Sequence, residues 1–120
     1  MKGLKYMHEV LGVVHRDIKL ENIMMSGETL KEFLAGEAIP KFIDFGLSKA
    51  LMPDERSSDP FGTLIYCSPE VILGVPHTKK TDIWSMGIVL YSLLTDRMPF
   101  VTFDRRDTSR NIVQQRINFN

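Results

Sequence analysis

Between two apolar runs the chain carries His15-Arg16-Asp17-Ile18-Lys19-Leu20-Glu21-Asn22, six polar side chains in eight positions. A second polar group, Asp44-Phe45-Gly46, directly follows the apolar residues Phe42-Ile43. If the run after Asn22 and the run before Asp44 pair as a hairpin, these two oxygen-bearing side chains fall at neighbouring strand ends. A carboxylate and an amide oxygen suit a hard cation such as Mg²⁺, which keeps waters and borrows further oxygens from a substrate phosphate. Asp17 would share that pocket as a base or orienting group, and Lys19 as a fixed positive charge. Positioning, a cation and a carboxylate beside an attacking hydroxyl are the parts that phosphoryl transfer needs.

The elements that must position these groups are short. Leu4, Met7 and Leu11 recur at helical spacing, with Tyr6 and Val10 widening the stripe and Gly12 as the stop. Val13-Val14, Ile23-Met24-Met25 and Lys41-Phe42-Ile43 are expected as brief strands. Residues 26–39 form an excursion with a helical turn over Thr29 to Leu34. No periodicity holds from Gly46 to Pro69, a long loop of the kind that usually carries function. Thr81 and Asp82 are expected to cap the strongest helix, about 82–95, which Pro99 ends. A last helix, about 107–117, would be capped by Asp107 or Thr108 and turn Ile112 and Val113 inward. The class is mainly α with short β-hairpins.

Length and composition narrow the field. The chain has 120 residues, 15 Lys+Arg against 15 Asp+Glu, 43% hydrophobic residues and one cysteine. This is the size of one domain, able to bury roughly two-thirds of its unfolded surface. Balanced charge argues against a nucleic-acid or membrane-surface binder, which usually shows a basic excess. Lone Cys67 excludes an internal disulfide and a cysteine metal cluster, as in a reducing, intracellular (cytoplasmic) setting. The apolar run Ile83 to Leu94 is too short for a bilayer and suits a core helix. Met7, Met24, Met25, Met86 and Met98 read as core filler. Trp84 and Tyr91 read as packing, Cys67 as an inert thiol, and His77 as a solvated loop residue.

The string HRDIKLEN resembles the catalytic loop of protein kinases, and IDFG resembles their metal-binding motif. GTLIYCSPE is similar to the end of their activation segment, and DIWSMGIVLYSLLTDRMPF to the helix supporting the catalytic loop. Four motifs in one order, from Leu4 to about Phe119, identify the chain with the large lobe of a Ser/Thr protein kinase. The resemblance implies catalytic loop 15–22, metal motif 44–46 and activation segment 44–70, with ATP and Mg²⁺ as cofactors and proteins bearing Ser/Thr as substrates. It implies that Asp17 orients or accepts the proton of the substrate hydroxyl, and that Lys19 reaches the transferred phosphate. Asn22 and Asp44 match the Mg²⁺ ligands. Met24 matches the floor beneath adenine, and His15 and Phe45 match members of an apolar stack. Thr63 matches the threonine bonding Asp17 and Lys19, and Asp82 the buried carboxylate holding the loop backbone. On their own, Asp17 and Asn22 would read as turn residues.

Asp59 stands where many kinases carry a phosphothreonine, and Arg16 and Lys49 where its phosphate is received. Asp59 is therefore expected to pair with both and partly replace phosphorylation. The rival reading makes Ser57 or Ser58 the phosphosite. Leu64 follows Thr63 where proline is usual, and Ser92 replaces a common acidic residue, leaving Glu21 as a contact to basic substrates. The excursion together with DFGLSK most resembles the calcium/calmodulin-dependent and calcium-dependent group.

No Gly-rich phosphate loop and no Val-Ala-Ile-Lys strand occur in these residues. The resemblance thus implies an incomplete domain, with the small lobe and the C-terminal helices missing. Glu70 would lack its buried arginine partner, and an unpaired buried charge costs about 3–5 kcal/mol. The isolated chain is expected to be poorly stable and catalytically dead. The alternative class is a non-catalytic, kinase-derived interaction fragment.

Overall fold

The computed structural model describes residues 2–27, 29–52 and 55–117. Helix α1 (Lys2–Glu9) buries Leu4, Met7 and His8. The stripe is shorter than expected. Tyr6, Val10 and Leu11 are exposed because the helix ends at Glu9, and Gly12, at φ 63°, turns the chain away. Strand β1 (Val13–Val14) then pairs antiparallel with β4 (Lys49–Ala50), placing Val13 opposite Ala50. Strands β2 (Ile23–Ser26) and β3 (Ile39–Phe42) form the second antiparallel pair, with Ile23 opposite Phe42. This is the expected hairpin, displaced so that Asp44 lies just beyond the strand end.

Between β2 and β3 lies α2 (Leu30–Leu34), closed by a reciprocal cap: Thr29 Oγ1 accepts from the Glu32 amide and Glu32 from the Thr29 amide. Such a box satisfies two otherwise orphaned donors, and here it supports a helix that buries none of its residues. Met24 and Met25, which point to opposite faces of β2, are likewise both exposed, against the core role expected of them.

After a one-turn 3₁₀ helix (Leu64–Tyr66) and α3 (Pro69–Ile72), the long helix α4 runs Lys80–Thr95. Thr81 and Asp82 do not cap it. Both lie inside its first turn, and Lys79 occupies the cap position without a side-chain bond. The helix ends before Pro99, at Asp96, which adopts the left-handed conformation at φ 55°. Helix α5 (Arg105–Gln114) starts and stops earlier than expected. Asp104 is its cap, accepting from the Arg106 and Asp107 amides at 2.6 and 3.2 Å, while Asp107 instead pairs with Arg110 at 2.7 Å. Ile112 is fully buried and Val113 half-buried.

The core gathers Leu4, Ile18, Tyr66, Met86, Ile88, Val89, Phe100 and Ile112 around α4. Trp84 lies nearly parallel to Phe100, with ring centres 5.7 Å apart, as packing aromatics should. Ile18, a buried member of this cluster, and half-buried Leu20 packed against it tie the 15–22 stretch to the core. Among the described residues no helix is long and apolar enough to cross a membrane.

Candidate active site

The site is built outward from Asp82. Its carboxylate, 1% exposed, accepts the His15 amide at 2.8 Å, the Arg16 amide at 2.9 Å and His8 Nε2 at 2.8 Å. A buried carboxylate is tolerated only with its lone pairs engaged, and these donors come from α1 and the 15–22 loop. The interaction also explains the loop's entry, where Arg16 is held at φ 68°, a conformation unfavourable for a branched-free but bulky side chain.

His15 is fully buried. Its Nδ1 accepts the Asp17 amide at 3.3 Å, so Nε2 carries the proton and donates to the Ile43 carbonyl at 3.0 Å. The ring lies 4.9 Å from Phe45 and 5.8 Å from Phe42. One imidazole thereby joins the two polar clusters of the sequence.

Asp17 is 8% exposed and closely held. Thr63 Oγ1 donates to Oδ1 at 3.2 Å, Asn22 Nδ2 to Oδ2 at 3.1 Å, and Lys19 Nζ lies 3.0 Å from Oδ2. Lys19 also donates to Thr63 Oγ1 at 3.2 Å, so the hydroxyl bridges the ion pair. The hydrogen bond to Asp17 raises the Lys19 pKa against the opposing effect of burial, with the charges of Asp17, Glu21 and Asp44 adding to the rise. Asn22, also buried, bonds the Asp17 carbonyl at 2.9 Å through the same nitrogen, and its own carbonyl accepts the Ile43 amide at 3.0 Å. That last bond brings Asn22 to the threshold of Asp44.

Asp44 is exposed, at φ 60°, and its Oδ1 accepts the Gly46 amide at 3.2 Å. A side chain at position 46 would come within 3.1 Å of that oxygen, which is why glycine follows. Among the described residues no group of three or more His, Cys, Asp or Glu could hold a metal. A cation here would depend on the Asn22 amide oxygen, left unengaged by the bonds through nitrogen, and on the Asp44 carboxylate. This oxygen-only donor set fits Mg²⁺ in the presence of a phosphate. Met24 stands on the open side of β2, 58% exposed.

The long segment after Asp44 returns to the loop through charge. Asp59 Oδ2 lies 2.9 Å from Lys49 Nζ and 3.4 Å from Arg16, and accepts the Ser57 hydroxyl at 2.9 Å. The hydrogen bonds from Lys49 and then Ser57 hold its carboxyl down at about 2. Arg16 Nε donates to the Leu47 carbonyl at 2.6 Å, and its guanidinium lies 4.9 Å from the Phe61 ring centre. Ser57 is buried, whereas Ser58 is exposed. Glu70 lies half-buried at the start of α3, with no hydrogen-bonded partner for its carboxylate among the described residues.

Comparison with known sequences matches the protein kinase domain family over residues 1–120. The chain belongs to the protein kinase family. It is 39% identical over 118 residues to the human testis-specific serine/threonine-protein kinase 3, covering 96% of this chain and 39% of that protein. It is 38% identical over 111 residues to human myosin light chain kinase 2 (skeletal/cardiac muscle), covering 92% and 17%. With a putative ribosomal protein S6 kinase alpha-1 of Caenorhabditis elegans it shares 36% over 117 residues, 97% of this chain and 14% of that protein. This kinase chain therefore spans well under half the length of these relatives.

Three residues of the kinase site escaped sequence reasoning. His8 completes the Asp82 cluster, and its place on the buried face of α1, four residues after Leu4, was the available clue. Gly62, at φ 81°, lets Thr63 approach the loop, since a Cβ there would lie 3.0 Å from the Arg16 carbonyl. His77 is 3% exposed, not solvated as expected, because Phe61 covers it with ring centres 4.8 Å apart. Cys67 agrees with its inert reading: burial pushes its thiol up to about 11.

Proposed function

We propose that this chain forms the catalytic large lobe of a Ser/Thr protein kinase that transfers the γ-phosphoryl group of ATP to Ser or Thr hydroxyls of proteins. The observation that carries this reading is the Asp17 carboxylate, fixed between Thr63, Lys19 and Asn22. Held this way, Asp17 presents a carboxylate of defined orientation to a substrate hydroxyl and receives or directs its proton. Lys19, kept charged by Asp17, offsets negative charge on the transferred group. Asn22 and Asp44 would hold Mg²⁺, which supplies charge neutralisation to the phosphates when bound. Met24 would floor the adenine. The phosphate-covering Gly-rich loop and its lysine do not occur in these 120 residues. ATP must therefore be held jointly with a segment that supplies them, and the 120 residues by themselves are expected to be inactive.

Two finer readings follow. The excursion around α2 and the DFGLSK string favour the calcium/calmodulin-dependent or calcium-dependent group, working inside the cell. Asp59 stands in for an activating phosphate: its carboxylate brings one charge, against roughly −1.5 to −2 for phosphate, so the substitution is partial. Buried Ser57, its hydroxyl engaged by Asp59, is the poorer phosphosite, and exposed Ser58 the better one. A non-catalytic docking role is the second reading. It is favoured by an open apolar groove of about 420 Å³ beside α4, lined by Ile23, Phe42, Leu90 and Leu93.

Replacing Asp17 by Asn in the intact protein tests the main reading. Transfer of labelled γ-phosphate to a Ser/Thr protein should fall by about 10²–10⁴-fold, the usual contribution of a positioned acid–base group. Wild-type rates in Asp17→Asn would defeat the assignment, and failure of the parent protein to transfer phosphate at all would favour the docking role.

A further inference from the structure

His77 is the buried ionisable group that the kinase reading leaves unused. It lies in the connection ahead of α4, and its backbone makes an isolated antiparallel bridge with Ser57: the Ser57 amide donates to the His77 carbonyl at 3.0 Å and the His77 amide to the Ser57 carbonyl at 2.8 Å. Its ring meets Phe61 edge-on, at 71°, and the same Phe61 carries the Arg16 guanidinium. Neither ring nitrogen makes a well-formed hydrogen bond, although the Val75 backbone lies near enough to favour a protonated ring. Buried polar nitrogens are nearly always bonded, so this exception calls for a physical explanation.

We propose that His77 is a positioning residue whose neutral ring, wedged against Phe61, clamps residues 57–62 onto the body of the domain, and that protonation of the ring releases the clamp. A neutral imidazole forgoes one donor and one acceptor bond in this place. An imidazolium would bury two unsatisfied N–H groups and a full charge. The charged groups facing the ring are Arg16, which opposes protonation, and Glu70 and Asp59, which favour it. Burial outweighs them and holds the ring's pKa below its ordinary 6.5, although the Val75 backbone pulls the other way. The sign follows: docking is strongest above about 6.5 and weakens as the pH falls below it. Because Asp59 lies two residues beyond Ser57, release also withdraws Asp59 from Arg16 and Lys49. The clamp rests on contact geometry and stands whether or not the chain transfers phosphate.

Amide hydrogen exchange on the intact protein, followed residue by residue and corrected for the intrinsic pH dependence, reads the clamp without any assay of activity. Protection at the amides of residues 57 and 77 should fall several-fold between pH 8 and pH 5, while the Val89 amide in α4 stays protected. His77→Phe keeps an uncharged ring beside Phe61 and should hold protection at both pH values. His77→Lys should have lost it at both. His8 and His15 remain in these variants, so the difference from wild type isolates His77. Equal protection of wild type at pH 8 and pH 5, or the same pH-dependent loss in His77→Phe, overturns the proposal. Should the variants unfold, the wild-type ring resonance decides: its titration must coincide with the loss of Ser57 protection, and a ring that titrates without that loss refutes the clamp.

Discussion

Arg16 belongs to two regions that are held by opposite means. Its backbone amide joins a closed cluster in which the Asp82 carboxylate, 1% exposed, gathers three donors from α1 and the catalytic loop. Its guanidinium joins an open cluster in which the Asp59 side chain, 58% exposed, gathers Lys49, Arg16 and Ser57. Both clusters place one carboxylate against several donors. The first excludes water, so removing any member leaves a buried group unsatisfied. The second is in contact with solvent, which screens the charges and replaces lost partners. The loop that carries Asp17 is thus fixed by the fold, whereas the segment that carries Thr63 is fixed by contacts that charge, salt and modification can alter. That division suits the role proposed for Asp17: its carboxylate stays in place while access to it is adjustable.

The largest effect should come from opening the closed cluster. Asp82→Ala strips acceptors from two buried backbone amides and from His8, and should destabilise the domain by about 3–5 kcal/mol, a large share of any small domain's stability. His8→Ala removes one donor and should cost about 1–3 kcal/mol. Urea unfolding of the intact protein measures both. If Asp82→Ala melted like wild type, the distinction between the two clusters would disappear.

Sequence reasoning worked best on individual side-chain contacts, in both clusters. The roles expected for Asp82, Thr63 and Asp59 each specify a contact, and the structure contains all of them: Asp82 with the loop amides, Thr63 with Asp17 and Lys19, Asp59 with Arg16 and Lys49. Motif strings encode such contacts because fixed spacing within a loop presents the same groups to one partner. Helix ends were read less well: Asp82 and Asp107 look like caps but have other partners, the buried Thr81 hydroxyl has no hydrogen-bond partner among the described residues, and the true cap of α5 is Asp104. His8 and His77 were missed for one reason. Their burial depends on residues far away in the chain, Asp82 and Phe61; the helical spacing from Leu4 hints at it for His8, and nothing local does so for His77.

A smaller effect is expected from the open cluster, and of a different kind. Asp59→Ala should leave the urea midpoint unchanged within error, because its partners regain water. It should instead lower phosphoryl transfer several-fold, since the segment bearing Thr63 loses its charged tether to Arg16 and Lys49. A second phosphate-free route to activity, such as full turnover in Asp59→Ala, would show that the tether has no part in catalysis. A midpoint that dropped as far as in Asp82→Ala would show that exposure does not separate the two regions.

The smallest effect concerns the acid limb of Asp59 itself. Its carboxyl is lowered from 3.8 to about 2, chiefly by Lys49 and Ser57, so the contact favours the charged form. A depressed carboxylate contributes its stabilisation in full above the ordinary value and loses it as the pH falls toward the lowered one. Between pH 8 and pH 5 the Asp59 carboxyl should therefore stay charged, so any loss of its contacts in that window comes from release of the His77 clamp and not from Asp59 itself. Carbon-detected titration of the Asp59 carboxyl should give a midpoint near 2 at low salt. In about 1 M salt, where the screening length falls to about 3 Å, the midpoint should move back toward the ordinary value. A buried carboxylate would show little of that salt response. A midpoint already at the ordinary value in low salt would mean that Lys49 and Arg16 do not hold Asp59 in solution, leaving the His77 bridge to Ser57 and the Thr63 bonds to Asp17 and Lys19 to hold residues 57–63.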